Sequence, residues 1–257
     1  MMTRSCGLVA AAVLAVFTAI PQTVLAQDQS RWSGFYAGLS IGSAHSEVDF
    51  SASPNAFFFN SGVPADAVAG TFITNNSPAS LSARGLTGGG QIGYNWQHGR
   101  VVLGLEADIT FHDLKKRSDR GPLSDAAFTI HRFVQTTEQS LLVTLRPRIG
   151  VTFDRFLVYA TAGLSIGNFE VEDTIINNNG AWQYQGSDSG TRVGWVLGGG
   201  VEMKLHDRWS IKGEFLRSEF SNSNFRALHS TLPNLFWVDH SAKMTVDVFR
   251  AGINYRF

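Results

Sequence analysis

Cysteine is almost missing from this chain: the one copy in 257 residues is Cys6, inside the leading segment described below. Past that segment neither a disulfide nor a thiolate metal site can form. Long hydrophobic runs are missing too. After residue 26 nothing approaches the ~20 consecutive apolar residues that a spanning helix needs. Neither sign of charge is in excess, because 21 Lys and Arg face 21 Asp and Glu, so no bulk basic surface is offered to nucleic acid. The seven histidines (His45, His98, His112, His131, His206, His229 and His240) lack the His-x-x-x-His spacing of a helix-borne metal site. They read as solvated turn and loop residues, and no metal or cofactor is expected.

What is present begins with a leader. Arg4 precedes an apolar run from Leu8 to Ile20, and Val24-Leu25-Ala26 places a small residue before Gln27, the pattern of a cleaved secretory signal over 1–26. Fold reasoning therefore starts at 27. The mean hydropathy of −0.02 suits a chain whose apolar and polar residues alternate, as they do in strands that face lipid on one side and a lumen on the other.

That alternation recurs in eight segments, near 34–50, 85–97, 100–113, 137–153, 156–170, 190–205, 208–220 and 242–257. In the third, Val101, Leu103, Leu105, Ala107, Ile109 and Phe111 share one face, while Gly104, Glu106, Asp108 and Thr110 share the other. The fourth repeats the pattern around Pro147, where a bulge or one missing ladder bond is expected. Three tight connections, at His98-Gly99-Arg100, Asp154-Arg155 and His206-Asp207-Arg208, alternate with four long polar ones near 51–84, 114–136, 172–189 and 221–241. Two packed sheets would also alternate, but segments of this length reach or pass the roughly 9–11 residues of a tilted membrane crossing. Aromatics such as Trp96, Phe153, Phe156, Trp209 and Tyr255 cluster near the tight turns, where an interfacial girdle belongs. The expected fold is all-β: an eight-stranded antiparallel transmembrane β-barrel over 27–257, with short periplasmic turns and long extracellular loops.

The polar parity assigns a charge set to the lumen: Glu106, Asp108, Glu202 and Glu214 against Arg146, Arg148, Arg192, Lys204, Lys212, Arg250 and Arg256. An eight-stranded barrel is just wide enough to be filled by side chains, so these charges are expected to pair as a structural network rather than line a wide channel. The excess of bases would make any leak anion-preferring. Glu106 and Asp108 resemble a catalytic carboxylate pair only in spacing, and salt bridging is the simpler role. Gly88-Gly89-Gly90-Gln91-Ile92-Gly93 matches a dinucleotide fingerprint formally, yet it leads into a strand and a turn rather than a helix. No catalytic or cofactor-binding residue is assigned. Phe57-Phe58-Phe59 and Leu235-Phe236-Trp237, unusual for solvated loops, are expected to pack over the barrel mouth or touch a partner.

Several stretches resemble the small outer-membrane β-barrel proteins of the porin-opacity type, which include outer-membrane immunogenic proteins. They are Trp32-Ser33-Gly34-Phe35-Tyr36-Ala37-Gly38, Gly89-Gly90-Gln91-Ile92-Gly93-Tyr94-Asn95-Trp96-Gln97, Gly104-Leu105-Glu106-Ala107-Asp108-Ile109, Arg146-Pro147-Arg148-Ile149-Gly150, Leu157-Val158-Tyr159-Ala160-Thr161-Ala162-Gly163 and the closing Val248–Phe257 stretch. The resemblance implies residence in a Gram-negative outer membrane among its lipids and lipopolysaccharide. It also implies insertion by the barrel-assembly machinery, with Phe257 as the terminal aromatic signal, and no shared catalytic residues. The expected function is a non-enzymatic barrel, monomeric or weakly self-associating, that supports the envelope and displays surface loops. A small diffusion porin and a loop-mediated adhesin binding surface ligands are the alternatives.

Overall fold

The structure, a computed structural model, describes residues 32–257 apart from 78, 128, 178, 179 and 207. The expected signal segment lies outside the described residues. Nine strands and two helices are described: β1 (Gly34–Pro54), α1 (Phe57–Asn60), α2 (Pro64–Asn76), β2 (Ser80–His98), β3 (Val101–Ser124), β4 (Ile130–Phe153), β5 (Phe156–Asn177), β6 (Trp182–His206), β7 (Trp209–Phe220), β8 (Ser223–His229) and β9 (Trp237–Arg256). Each strand pairs antiparallel with its neighbours, and β1 pairs with both β2 and β9, which closes the ring. β7 and β8 occupy a single position between β6 and β9, one above the other, so the ring has eight staves.

Burial along each stave is inverted relative to a water-soluble protein. Leu39, Leu86 and Phe249 are 68%, 77% and 61% exposed, whereas the charged side chains of Arg146 and Lys212 are completely buried. Only a hydrocarbon surround accepts that outer face, and ring closure leaves no edge bare within it. The tight turns at His98-Gly99-Arg100 and Asp154-Arg155 follow the sequence reading, and Asp207 of the third lies outside the described residues. Gly99 sits at φ 59° and Asp154 at φ 50°, the left-handed values that two-residue hairpins require. At Pro147 the β4–β5 ladder passes from Leu145–Leu164 to Arg148–Thr161 in unbroken register, so the proline removes rungs without making a bulge. Bulges occur instead between Gln139 and Leu142 on β4 and between Phe111 and Leu114 on β3.

The long connections differ from expectation, since much of each is strand. β3 runs to Ser124, β4 starts at Ile130, β5 reaches Asn177 and β6 starts at Trp182. Above the lipid band the faces exchange character. Glu47, Asp49, Arg84, Lys115, Arg117, Glu138, Glu170, Glu172 and Arg217 are exposed outward, while Val48, Leu114, Phe169, Val171 and Met244 are buried inward. A pattern that demands apolar residues outside stops where the solvent changes, although the backbone continues.

Ring closure also loosens at this height. The β2–β3 ladder ends at Thr87–His112, but β1–β2 continues to Asp49–Ser80 and β3–β4 to Ser124–Ile130. β6 and β8 meet only at Tyr184–His229 and Gln185–Leu228. The outer half is therefore two four-stranded faces, β2-β1-β9-β8 and β3-β4-β5-β6, with an apolar filling between them. Phe58 of α1 and Ile73 of α2 are buried in that filling with Phe133, Ile175, Tyr184 and Val238. Of the first loop's aromatics, Phe58 packs inward, with its ring centroid 5.0 Å from that of Phe236; Phe57 and Phe59 remain exposed.

Replacing Leu105, at the middle of the lipid-facing band, with Arg should destabilise the folded barrel by ~2–4 kcal/mol. The same change at Ser82, outward but above the band and opposite Glu47, should cost under about 0.5 kcal/mol. Urea unfolding in lipid vesicles measures both.

Candidate functional site

The main concentration of chemistry-bearing side chains is a belt across the lumen in the lower half of the ring. Strand register places three acid–base pairs directly opposite or beside each other: Glu106 with Arg146 on β3–β4, Glu202 with Lys212 on β6–β7, and Glu214 with Arg250 on β7–β9. Further contacts then reach across the lumen. Glu106 accepts from Arg146 at 2.7 Å, from Lys212 Nζ at 2.9 Å and from the Tyr36 hydroxyl at 2.7 Å. Asp108 accepts from Arg146 at 2.8 Å and Arg250 at 3.0 Å, and from the Thr144 hydroxyl. Glu214 accepts from Arg250 Nε at 2.8 Å, Arg146 at 3.1 Å and Tyr159 at 3.0 Å. Glu202 accepts from Arg148 at 3.2 Å and Asn254 at 2.8 Å, and from the Ser210 hydroxyl.

Arg148 is held from three further directions. Its Nε donates to Asn95 at 2.9 Å, and its guanidinium lies 4.7 Å from the Tyr36 ring centroid and 5.1 Å from that of Tyr159. Gln91 donates to Asn254 at 2.9 Å. With Tyr36 on β1, Gln91 and Asn95 on β2, Tyr159 on β5 and Asn254 on β9, every stave contributes to the belt. Tyr36 needs the absence of a side chain at Gly93, where a Cβ would overlap its hydroxyl.

Three of the expected lumen bases lie outside this belt. Arg192 reaches Asp188 and Ser223 near the upper end of the band. Lys204 and Arg256 flank Trp32 at the short-turn end, 4.8 and 5.6 Å from its ring. Trp32 is itself buried there with Val102, Leu157 and Tyr159. The belt thus holds Glu106, Asp108, Glu202 and Glu214 against Arg146, Arg148, Lys212 and Arg250. The belt itself is therefore balanced in charge, and the excess of bases stands at its two ends, Arg192 above and Lys204 and Arg256 below. Glu106 and Asp108 are 2% and 4% exposed and enclosed by cations. Phe257 is exposed at the short-turn end, its N–H donating to the Phe35 carbonyl at 3.0 Å.

Above the belt, Leu114, Leu142, Phe169, Leu216 and Met244 fill the lumen with an apolar layer, and above that lies a second polar group. Here the reading of the histidines needs correction: His131, His229 and His240 are buried on the inner face because the segments carrying them are strand rather than loop, and His112, within the expected third strand, is buried by its inward parity. His131 is clamped by Asp125 and Asn177, each at 3.0 Å from one ring nitrogen. Burial pulls the Asp125 carboxyl up, but its bonds from His131 and from the Thr129 and Ala127 N–H groups outweigh that and hold it below the ordinary value. Across the filling, Asp173 lies 3.7 Å from His240 Nδ1 and accepts from Gln135 at 2.6 Å. Burial raises the Asp173 carboxyl to about 6, against the Gln135 bond and Arg120, and lowers His240 to about 4, against Asp239. At neutral pH this contact joins an ionised carboxylate to a neutral imidazole. Among the described residues, no group of three or more His, Cys, Asp or Glu is placed to hold a metal.

A closed ring of eight antiparallel staves, apolar outside and filled with paired charge inside, defines an outer-membrane β-barrel. The chain belongs to the outer membrane protein beta-barrel domain family, whose pattern matches residues 9–257. It is 29% identical over 240 residues to the 31 kDa outer-membrane immunogenic protein of Brucella melitensis, covering 90% of this chain and 85% of that relative. The 25 kDa outer-membrane immunogenic protein of the same organism is 26% identical over 238 residues, covering 93% and 85%. Among solved structures, OprG of Pseudomonas aeruginosa is similar with a TM-score of 0.48 at 12% identity, covering 90% of this chain and 100% of OprG. The protein resides in the cell outer membrane, with its short turns in the periplasm and its two outer faces outside the cell.

Removing one belt member strands the others. Arg146→Met should cost ~3–5 kcal/mol, whereas Arg217→Met, which breaks a pair with Asp247 on the outer surface, should cost under about 1 kcal/mol; urea midpoints in vesicles compare them. The buried Asp173 gives a pH signature. Its folded value lies above its ordinary one, so its contribution is complete below about pH 4 and is lost as pH rises through about 6. Asp173→Asn should therefore gain roughly 1–3 kcal/mol on wild type between pH 4 and pH 8. A difference that stays flat across that range counts against the raised carboxyl.

Proposed function

We propose that this chain is a non-catalytic structural barrel of the outer membrane, which reinforces the envelope and holds a rigid display surface outside it. The observation that carries this reading is the filling of the lumen in successive layers: Trp32 at the periplasmic end, the eight-charge belt, the apolar layer, and the outer filling under α1 and α2. A diffusion pore needs a continuous aqueous path, and each of these layers would have to move to open one. Catalysis finds no support in the belt, whose carboxylates are all engaged, or in His131, whose two nitrogens are both bonded.

The display role draws support from the outer half, which projects two strand-built faces beyond the lipid and exposes Phe57, Phe59, Trp182, Leu228 and Leu235. Such side chains suit recognition of surface ligands, and the relatives are named for their immunogenicity. The ring satisfies its own strand edges within the lipid band, which favours a monomer.

Planar-bilayer recordings on protein shown to be folded by its heat-dependent gel mobility test the sealed lumen. The expected result is no steady open level. A sustained, reproducible conductance would overturn the structural reading in favour of a small porin.

A further inference from the structure

One string of buried polar groups crosses the filling between the two outer faces. Gln135 of β4 donates through Nε2 to the Ser77 carbonyl, just past the end of α2, at 3.1 Å, and to Asp173 of β5 at 2.6 Å. Asp173 in turn lies 3.7 Å from Nδ1 of His240 on β9. Ser77, Gln135, Asp173 and His240 are each 2% exposed or less. Gln135 and Asp173 belong to the face β3-β4-β5-β6, whereas His240 belongs to β2-β1-β9-β8 and Ser77 lies between α2 and β2. The string therefore ties one face to the other at both of its ends.

Its last link is open. A separation of 3.7 Å is too long for a hydrogen bond, and among the described residues neither ring nitrogen of His240 nor Oδ1 of Asp173 has a hydrogen-bond partner. Groups buried this deeply are costly to leave unpaired. The imidazole is already oriented, since Phe225 of β8 stacks on it at 5.2 Å and 12° between planes. One proton completes the link. Added to an ionised carboxylate and a neutral imidazole, it gives either a carboxylic O–H donating to Nδ1 or an imidazolium N–H donating to the carboxylate, and both forms carry the same net charge. Bonds of this kind span roughly 2.5–2.9 Å, so proton uptake draws β5 and β9 together.

The surrounding charges leave this pair as the place where a proton enters. Arg120 of β3, the cation that opposes protonation of Asp173, is held to the Asn76 and Ser77 carbonyls at 2.7 and 3.0 Å. Asp239, beside His240 on β9, points outward and pairs with Arg226 of β8 at 2.7 Å. His131 of β4 is held by Asp125 and Asn177, His229 of β8 accepts the Thr231 and Leu232 N–H groups at 3.1 Å, and Asp188 of β6 is taken by Arg192. Asp66 of α2 acts on Tyr184 of β6, while β1 and α1 bring Ala52 and Phe58 to the filling. We propose that Asp173 and His240 form an acid-closed clasp between the two outer faces, bonded in mildly acidic surroundings and released at neutral pH. It acts where ladders are scarce, because the faces share two rungs between β6 and β8 and part above Thr87–His112 between β2 and β3. The sign follows from the carboxyl, whose value near 6 lies above its ordinary one: pH falling through about 6 closes the clasp. This inference concerns the outer half alone and holds whether or not the lumen conducts.

A chain beginning at residue 27 contains no cysteine, so S53C/T136C places one nitroxide on each face: Ser53 is exposed on β1, and Thr136 is half-buried on the outer side of β4. Pulsed electron paramagnetic resonance on the folded barrel in phosphatidylcholine nanodiscs reads the distance between the labels as pH is varied. In the otherwise native chain the distribution should shorten and narrow as pH falls, with a midpoint near 6. Adding D173N, whose amide can donate to His240 without proton uptake, should give the short, narrow distribution at every pH. Adding H240F, which keeps a ring against Phe225 but has no nitrogen, should give the broad one at every pH. A distribution that ignores pH in the otherwise native chain would overturn the proposal without reference to either substitution. So would a pH response that survives unchanged in D173N or H240F protein whose folding is shown by heat-dependent gel mobility.

Discussion

Eight charges that cannot reach water must neutralise one another, and this requirement holds the ring in register. A slip of one residue between neighbouring strands would turn every inward side chain toward lipid, placing Arg146 and Arg148 in hydrocarbon. A slip of two would keep the parity but part Glu106 from Arg146 and Glu214 from Arg250, which the native register sets opposite each other. Buried ion pairs are weak evidence for stability, because desolvation opposes their attraction. Their value here is selective: many alternative pairings can satisfy the backbone, and few satisfy four carboxylates and four cations together.

The same requirement explains which parts of the fold were legible in the sequence. Period-two alternation placed Glu106, Asp108, Arg146, Arg148, Glu202, Lys212, Glu214 and Arg250 on one side of a closing sheet, since a strand facing lipid must segregate its residues by parity. Tyr36, Gln91, Asn95 and Asn254 carried the inner parity as well, but nothing in a linear pattern says that two tyrosine rings will sandwich Arg148. Separating Arg192, Lys204 and Arg256 from the belt requires height along the barrel axis as well as facing. Height depends on strand tilt and stagger, which alternation does not encode.

The outer half was hidden for a different reason. Over 130–139, Phe133, Gln135, Thr137 and Gln139 point inward while Arg132, Thr136 and Glu138 point out, a pattern that reads as loop when apolar residues are sought on the outside. Of the four buried histidines, His131, His229 and His240 were misassigned along with it, while His112 lay within a segment already read as strand. Two packed sheets, weighed and set aside for the chain as a whole, describe the outer half reasonably well: two faces enclosing Phe133, Ile175, Tyr184 and Val238. One chain thus follows two folding rules in succession, each suited to the solvent at its level.

The two rungs that join β6 to β8, set against the continuous ladders below, separate what anchors the protein in the membrane from what projects beyond it. Residues can be inserted, lost or exchanged along the tips of either face without disturbing the closed wall in the bilayer or the charges that keep it aligned. Change at those tips is thereby mechanically uncoupled from the embedded cylinder.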